Sequence, residues 1–172
     1  MSGRTRRRVA WTAALLSLTA AASVAIVAVS SAGAGSRTIP LHGKMLNIIQ
    51  TIPCAESHAV PVGVCSDFEA IGDIKGDGHV VVDTFPDQTK FGYSEAHTVI
   101  HSSKGDLHCH EAALFSAPDA TGVASFVDMC LIDADGTGVY AGASGYIQEV
   151  GTFDFVAKVG NLDYYGQITF GS

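Results

Sequence analysis

The chain carries little positive charge, and much of that charge lies at one end. Its 172 residues include 10 Lys and Arg against 17 Asp and Glu. Four of the ten are arginines in the first eight residues, so the rest of the chain has six basic and 17 acidic residues, a formal charge of −11. A surface this acidic repels phosphate backbones and anionic lipid headgroups. We therefore predict that the protein does not bind nucleic acid.

Several motifs of well-defined chemistry are also missing. The sequence has no C-x-x-C pair for a thiolate metal site and no G-x-S-x-G elbow for a serine nucleophile. Gly72, Gly76 and Gly78 are not followed by the Lys-Ser/Thr of a phosphate-binding loop. Asp133 opens a D-x-D-G segment, but Ser144 stands where a calcium-binding EF-hand needs Glu. We interpret that segment as a glycine-assisted turn and predict no metal from these motifs.

The first 34 residues have the pattern of a signal peptide. A cluster of arginines precedes an uncharged stretch from Val9 to Val29, and Ala32-Gly33-Ala34 forms an A-x-A cleavage site. The alternative is a retained membrane anchor, because about 21 uncharged residues can just span a bilayer. We predict cleavage, which leaves residues 35–172 as a single secreted domain that is not attached to a membrane. A domain of this length can bury a sizeable core.

All four cysteines lie after the predicted leader. An even number of cysteines in an exported chain indicates disulfides, and four cysteines allow three pairings. We favour Cys54–Cys65, which would close a loop flanked by prolines, together with Cys109–Cys130, which would join two neighbouring strands. Each would contribute about 3 kcal/mol by the chain-entropy estimate.

The rest of the chain alternates short apolar stretches with turn residues, and no segment has the pattern of a helix. Evenly spaced short strands of this kind are typical of a β-sandwich or a closed up-and-down barrel. The predicted strands are Lys44–Ile52, Asp67–Ile74, His79–Thr84, Gly92–His101, Asp106–Phe115, Val123–Ile132, Val139–Glu149, Thr152–Val156 and Leu162–Phe170.

Four histidines are predicted to share one face of a hairpin. A two-residue turn at residues 104–105 pairs His101 with His108, and even spacing within each strand puts His97 and His110 on the same face. Three converging imidazoles would suit zinc or copper. The alternative, which we favour, is a polar outer surface.

A second hairpin brings two acidic residues together. A turn centred on residues 119–120 would place Cys109 opposite Cys130, in support of that disulfide, and Glu111 opposite Asp128. Directly opposed carboxylates repel, so a barrel face that buries both should hold one proton between them at neutral pH. Such a pair supplies a general acid and a general base. On a face exposed to solvent, the same two residues would have no such role.

Aromatic residues near these acids favour a pocket. Phe115 and Phe126 lie on the same predicted face as the acid pair, and Asp154 is a third candidate carboxylate. Tyr140 and Tyr146 belong to an aromatic set that is concentrated towards the C-terminus. Such a set packs a core, and in a small barrel it also lines a cavity for one apolar ligand.

Residues 136–146, G-T-G-V-Y-A-G-A-S-G-Y, resemble the G-T-G-x-F/Y-x-x-A-x-G stretch of the allene oxide cyclase and dirigent barrel superfamily. The matching positions over this and the following strands are Gly136, Gly138, Tyr140, Ala143, Gly145, Gly151, Phe153, Tyr165 and Gly166. The resemblance implies an all-β fold, an eight-stranded antiparallel up-and-down β-barrel of calycin-type architecture with a mostly apolar cavity. It also implies a stereodirecting cyclase or isomerase that needs no cofactor.

These observations combine into one functional hypothesis. The protein would bind a small apolar ligand or substrate, with Glu111, Asp128 and Asp154 as proton-handling groups. Tyr140 and Tyr146, with Phe115 and Phe126, would shape the cavity. The alternatives are a non-catalytic carrier of the lipocalin kind and a structural or interaction protein with a packed core. An oligomer is left open.

Overall fold

A computed structural model describes residues 35–84 and 92–170 of the chain. The predicted signal peptide, residues 1–34, lies outside the described residues. Eight strands form one closed antiparallel barrel, in which each strand pairs with its neighbours in chain order and the last pairs with the first. The predicted barrel is therefore confirmed, and the sandwich alternative is wrong.

Besides the strands, the described residues include one short helix, a 3₁₀ helix at Gly138–Tyr140. No helix among the described residues is long and apolar enough to cross a membrane. The strands are β1 Arg37–Thr51, β2 Val64–Gly72, β3 Gly76–Thr84, β4 Gly92–Ser102, β5 Gly105–Phe115, β6 Val123–Ile132, β7 Ser144–Asp154 and β8 Val159–Phe170.

Two of the nine predicted strands are one strand in the structure. The predictions Val139–Glu149 and Thr152–Val156 left Gly151 between two strands, but this glycine lies inside β7, opposite Leu162 of β8. A β-carbon at Gly151 would come within 2.3 Å of the Asn161 carbonyl oxygen, so the glycine permits a close approach of two strands. Val139 lies in the 3₁₀ helix instead of a strand.

Both predicted hairpin registers are wrong by two residues. On β4 and β5, His97 lies opposite His110, because the turn is at residues 103–104 and the Ser102 hydroxyl accepts a hydrogen bond from the Lys104 N–H. On β5 and β6, Glu111 lies opposite Cys130. An even shift leaves every side chain on its predicted face, since side chains alternate with a period of two.

Both predicted disulfides are confirmed. Cys54 and Cys65 have Cα atoms 5.6 Å apart, and the Cα atoms of Cys109 and Cys130 are 5.5 Å apart. The second bridge runs diagonally between β5 and β6, since Cys109 lies opposite Ile132 and not opposite Cys130. Both of its cysteines are buried in the barrel core.

The barrel interior is divided into two parts. One end is filled by a core whose most buried side chains are Leu41, Ile100, Leu107, Ile147 and Ile168. The other end, where β4, β6 and β8 begin, holds a cavity. Cys109 and Cys130 lie between these two parts. Towards the cavity, the next inward residue is Glu111 on β5 and Asp128 on β6.

We predict that a reductant distinguishes the two disulfides in the native protein. Thiol–disulfide exchange requires access of the attacking thiolate, so dithiothreitol should open Cys54–Cys65 at least about tenfold faster than Cys109–Cys130. Cys54 lies partly exposed between β1 and β2, whereas Cys109 and Cys130 are 1% and 0% exposed. Alkylation followed by peptide mass spectrometry measures both rates, and in denaturant they should converge. Equal rates in the folded protein would contradict the enclosed position of the second bridge.

Candidate functional site

The cavity at the open end of the barrel has mostly apolar walls. Four phenylalanines line it, Phe68, Phe115, Phe126 and Phe153. Its volume is about 70 Å³, and since one water needs about 10–15 Å³ on this scale, about five waters would fit. The cavity therefore suits a small molecule and not a large one.

Three carboxyl groups meet in this cavity, one from each of three neighbouring strands. Glu111 lies on β5, Asp128 on β6 and Glu149 on β7, and Asp128 pairs directly with Glu149. One carboxylate oxygen of each lies within 4.8 Å of the other two. The three residues are 9%, 2% and 3% exposed, respectively. We call them the carboxyl triad.

Burial changes the protonation of the carboxyl triad. It raises the pKa of Glu149 well above its usual range, and the negative charge of Asp128 adds to this effect. It also raises the pKa of Glu111 well above normal, again with contributions from the charges of its two neighbours. For Asp128, burial raises the pKa to about 6, although hydrogen bonds from Glu111 and from the backbone oppose the rise. The three groups therefore titrate as one coupled set that keeps its protons to a higher pH than ordinary carboxylic acids do.

Part of the triad's hydrogen-bonding capacity is unused. Asp128 Oδ1 and Glu149 Oε1 are buried without a hydrogen-bond partner among the described residues, and so is the hydroxyl oxygen of Thr98. A buried polar atom without a partner costs about 1–3 kcal/mol. Because almost all buried polar groups in proteins are paired, these atoms are available to form hydrogen bonds with a ligand or water in the cavity.

Among the described residues, the ionisable side chains that line the cavity are all acidic. Within residues 35–84 and 92–170, no Lys, Arg or His lines it. The triad is therefore neutral or negative at any pH, and it favours ligands that are neutral or cationic. Its clustered oxygens also have the donor chemistry that a hard divalent cation prefers.

The structure brings together four of the seven predicted site residues. Glu111, Asp128, Phe115 and Phe126 all line the cavity, and the rings of the two phenylalanines lie 4.6 Å apart. Glu149 lines it as well, although the sequence analysis did not identify this residue. A usable signal was present, because Glu149 and Phe153 are four residues apart on one strand and so share a face.

The other three predicted site residues lie elsewhere. Asp154 is at the end of β7, where its Oδ1 accepts hydrogen bonds from the N–H groups of Val156 and Ala157. Tyr146 is on the outer face of the same strand and 37% exposed. Tyr140, in the 3₁₀ helix, packs into the core with its ring 6.3 Å from that of Phe170. The structure therefore does not place Asp154, Tyr140 or Tyr146 at the cavity.

The four histidines occupy the outer face of β4 and β5, as predicted. They do not form the three-histidine metal site that the sequence offered. Each ring Nδ1 lies close to a different aspartate instead. The pairs are His97–Asp83, His101–Asp106, His108–Asp135 and His110–Asp133. Within the described ranges, no set of three ligand atoms that includes one of these histidines lies within 4.8 Å.

Comparison of the chain with protein-family models, curated proteins and solved structures finds no match. The resemblance of residues 136–146 to the allene oxide cyclase and dirigent barrels therefore remains an expectation from the sequence.

We predict that the carboxyl triad makes the protein less stable as the pH rises. An acid whose pKa is raised by folding binds more protons in the native state than in the unfolded state, so stability falls between the two pKa values, by up to about 1.4 kcal/mol per pH unit for each proton. The melting temperature should therefore decrease from pH 5 to pH 8. Glu149→Gln removes one such group and should raise the melting temperature at pH 8 by about 3–8 °C.

The matched control is Glu69→Gln, because Glu69 is on the exposed face of β2. This variant should melt like the wild type at every pH. His79, whose pKa is raised chiefly by its hydrogen bond to Asp67, shifts stability in the same direction but is present in both variants. Circular dichroism melts at several pH values measure the difference. Parallel curves for wild type and Glu149→Gln would show that the triad does not hold the extra protons.

Proposed function

We propose that the protein binds a small, mostly apolar molecule in the barrel cavity and transfers a proton on it, as a cofactor-independent isomerase or cyclase. The observation that carries this proposal is the carboxyl triad. It places three carboxyl groups within 4.8 Å of one another inside an apolar cavity, and in this proposal Asp128 is the carboxylate while Glu111 and Glu149 keep their protons. General acid–base catalysis needs both forms at one site.

The three acids would have distinct roles. Asp128 is the base, because a pKa of about 6 leaves it mostly ionised at neutral pH yet still basic enough to accept a proton. Glu149, directly opposite Asp128, and Glu111, diagonal to it, are the acids that donate one. When Asp128 removes a proton from one atom of the ligand and a protonated Glu returns one to another atom, the ligand is isomerised. The number of protons on the triad is unchanged, so no other reactant is needed.

The walls of the cavity limit the ligand. Phenylalanine rings favour an apolar body, and they also attract cations over their faces. An anionic ligand would lie beside the Asp128 carboxylate with no described basic side chain to offset its charge. We therefore expect a small neutral molecule with one polar group, or a small organic cation.

Two further points support the proposal. The resemblance of residues 136–146 to a superfamily of cyclising and stereodirecting barrels supports the same class of reaction. Both disulfides fit an oxidising compartment. We propose that residues 1–34 direct the chain to the extracellular space.

A non-catalytic carrier is the second candidate, and one observation favours it. The unpartnered oxygens of Asp128 and Glu149 would be satisfied by a ligand that only donates hydrogen bonds, such as a protonated amine. A carrier of this kind would use the same cavity without any reaction.

The test uses 3-cyclohexen-1-one as a probe, a small ketone whose double bond moves into conjugation when one proton is removed and another returned. Ultraviolet absorbance follows this isomerisation, and ligand-observed NMR follows binding. We predict catalysed isomerisation that Asp128→Asn lowers by about 10²–10⁴-fold. The Kd of the probe should change by less than about threefold, because the amide keeps the size of the side chain.

Glu69→Gln is again the matched control and should retain full activity. Binding without isomerisation would favour the carrier. Failure to bind, together with no small molecule retained in native mass spectra of protein from the culture medium, would contradict ligand binding in the cavity.

A further inference from the structure

Two histidines face each other on the outside of the barrel, on the opposite side of the sheet from the cavity. His97 of β4 and His110 of β5 are directly paired. Their ring centroids are 4.3 Å apart, with an angle of 64° between the ring planes. The two side chains are 53% and 60% exposed, so the rings are accessible from solvent.

Each of these rings has a carboxylate oxygen close to the same nitrogen. His97 Nδ1 is 2.6 Å from Asp83 Oδ2, and His110 Nδ1 is 2.5 Å from Asp133 Oδ2. An imidazole whose Nδ1 lies beside a carboxylate keeps Nε2 as the nitrogen that can bind a metal. In carboxylate–histidine–metal triads, a carboxylate beside one ring nitrogen orients the ring for a metal at the other nitrogen.

From this geometry we propose that His97 and His110 bind a divalent transition metal ion, copper above all, through their two Nε2 atoms. Asp83 and Asp133 are positioning residues, and water completes the coordination. Two nitrogens that each lie about 2.0–2.1 Å from one ion are about 3 Å apart, so binding requires the two rings, whose centroids are 4.3 Å apart, to rotate until their Nε2 atoms converge. Among divalent first-row metals, Cu²⁺ binds most tightly to such nitrogen ligands.

The charge of the surroundings favours the binding of a cation. The neighbouring aspartates and the net acidic chain raise the local concentration of cations. The site is independent of the proposed function, because Glu111 follows His110 in β5 and points to the opposite face of the sheet.

The experiment is a titration of the full chain, purified without a histidine tag, with CuCl₂ alone. Isothermal titration calorimetry should show one tight equivalent, and electron paramagnetic resonance should show two nitrogens in the equatorial plane of the copper. His97→Ala and His110→Ala should each lower the affinity at least about tenfold. Asp83→Asn and Asp133→Asn should lower it by about 10–100-fold, while the two-nitrogen spectrum remains.

His101→Ala is the matched control. His101 is on the same outer face and is also paired with an aspartate at Nδ1, with 2.9 Å between His101 Nδ1 and Asp106 Oδ1, but Asp106 and not a histidine lies opposite it on β5. This variant should bind copper like the wild type. Equal losses in His97→Ala and His101→Ala, or a spectrum with a single nitrogen, would overturn the proposal. Loss of binding in Glu149→Gln would place the ion in the cavity and would overturn it as well.

Discussion

Closure of the sheet between β1 and β8 is the constraint on which the rest of this structure depends. The two strands pair from Arg37 with Phe170 to Met45 with Leu162 without interruption, and β1 then continues past a bulge. Once the ends are joined, no strand has an unpaired edge, and alternate residues of every strand must point into one shared interior. The barrel therefore decides which polar residues are buried, whatever their own preference for solvent.

That constraint explains why three acids lie in an apolar space. On β5, the residues Leu107, Cys109 and Glu111 point inwards in sequence, so placing the core leucine and the disulfide inside brings the glutamate inside with them. The same alternation brings Asp128 in with Cys130 on β6. The cost of burying three carboxyl groups is lower when they keep protons, and burial raises their pKa values accordingly. The resulting mixture of acid and base is the property on which the proposed chemistry rests.

The two faces of the β4–β5 hairpin show how one pair of strands serves two kinds of site. Thr98 and Glu111 point into the barrel, while His97 and His110 point out, and the separation follows from the period of the strand alone. The inner residues are isolated from solvent, so their pKa values respond to burial. The outer histidines stay accessible and meet carboxylates only at their Nδ1 atoms.

The sequence by itself determined the strand content, both disulfides, the face on which each predicted hairpin residue lies, and the presence of Glu111, Asp128, Phe115 and Phe126 at one site. These features depend on alternation and turn chemistry, which are local. The presence of Glu149 at the site depended on Gly151 remaining inside a strand, which the contact with β8 decides. Asp154 is the last residue of that strand and accepts hydrogen bonds from the turn that follows. The position of Tyr140 in the packed core and the two-residue changes in register likewise depend on how turns fit against other strands. Only the closed tertiary structure determines these positions and registers, because they depend on contacts between residues that are far apart in the chain.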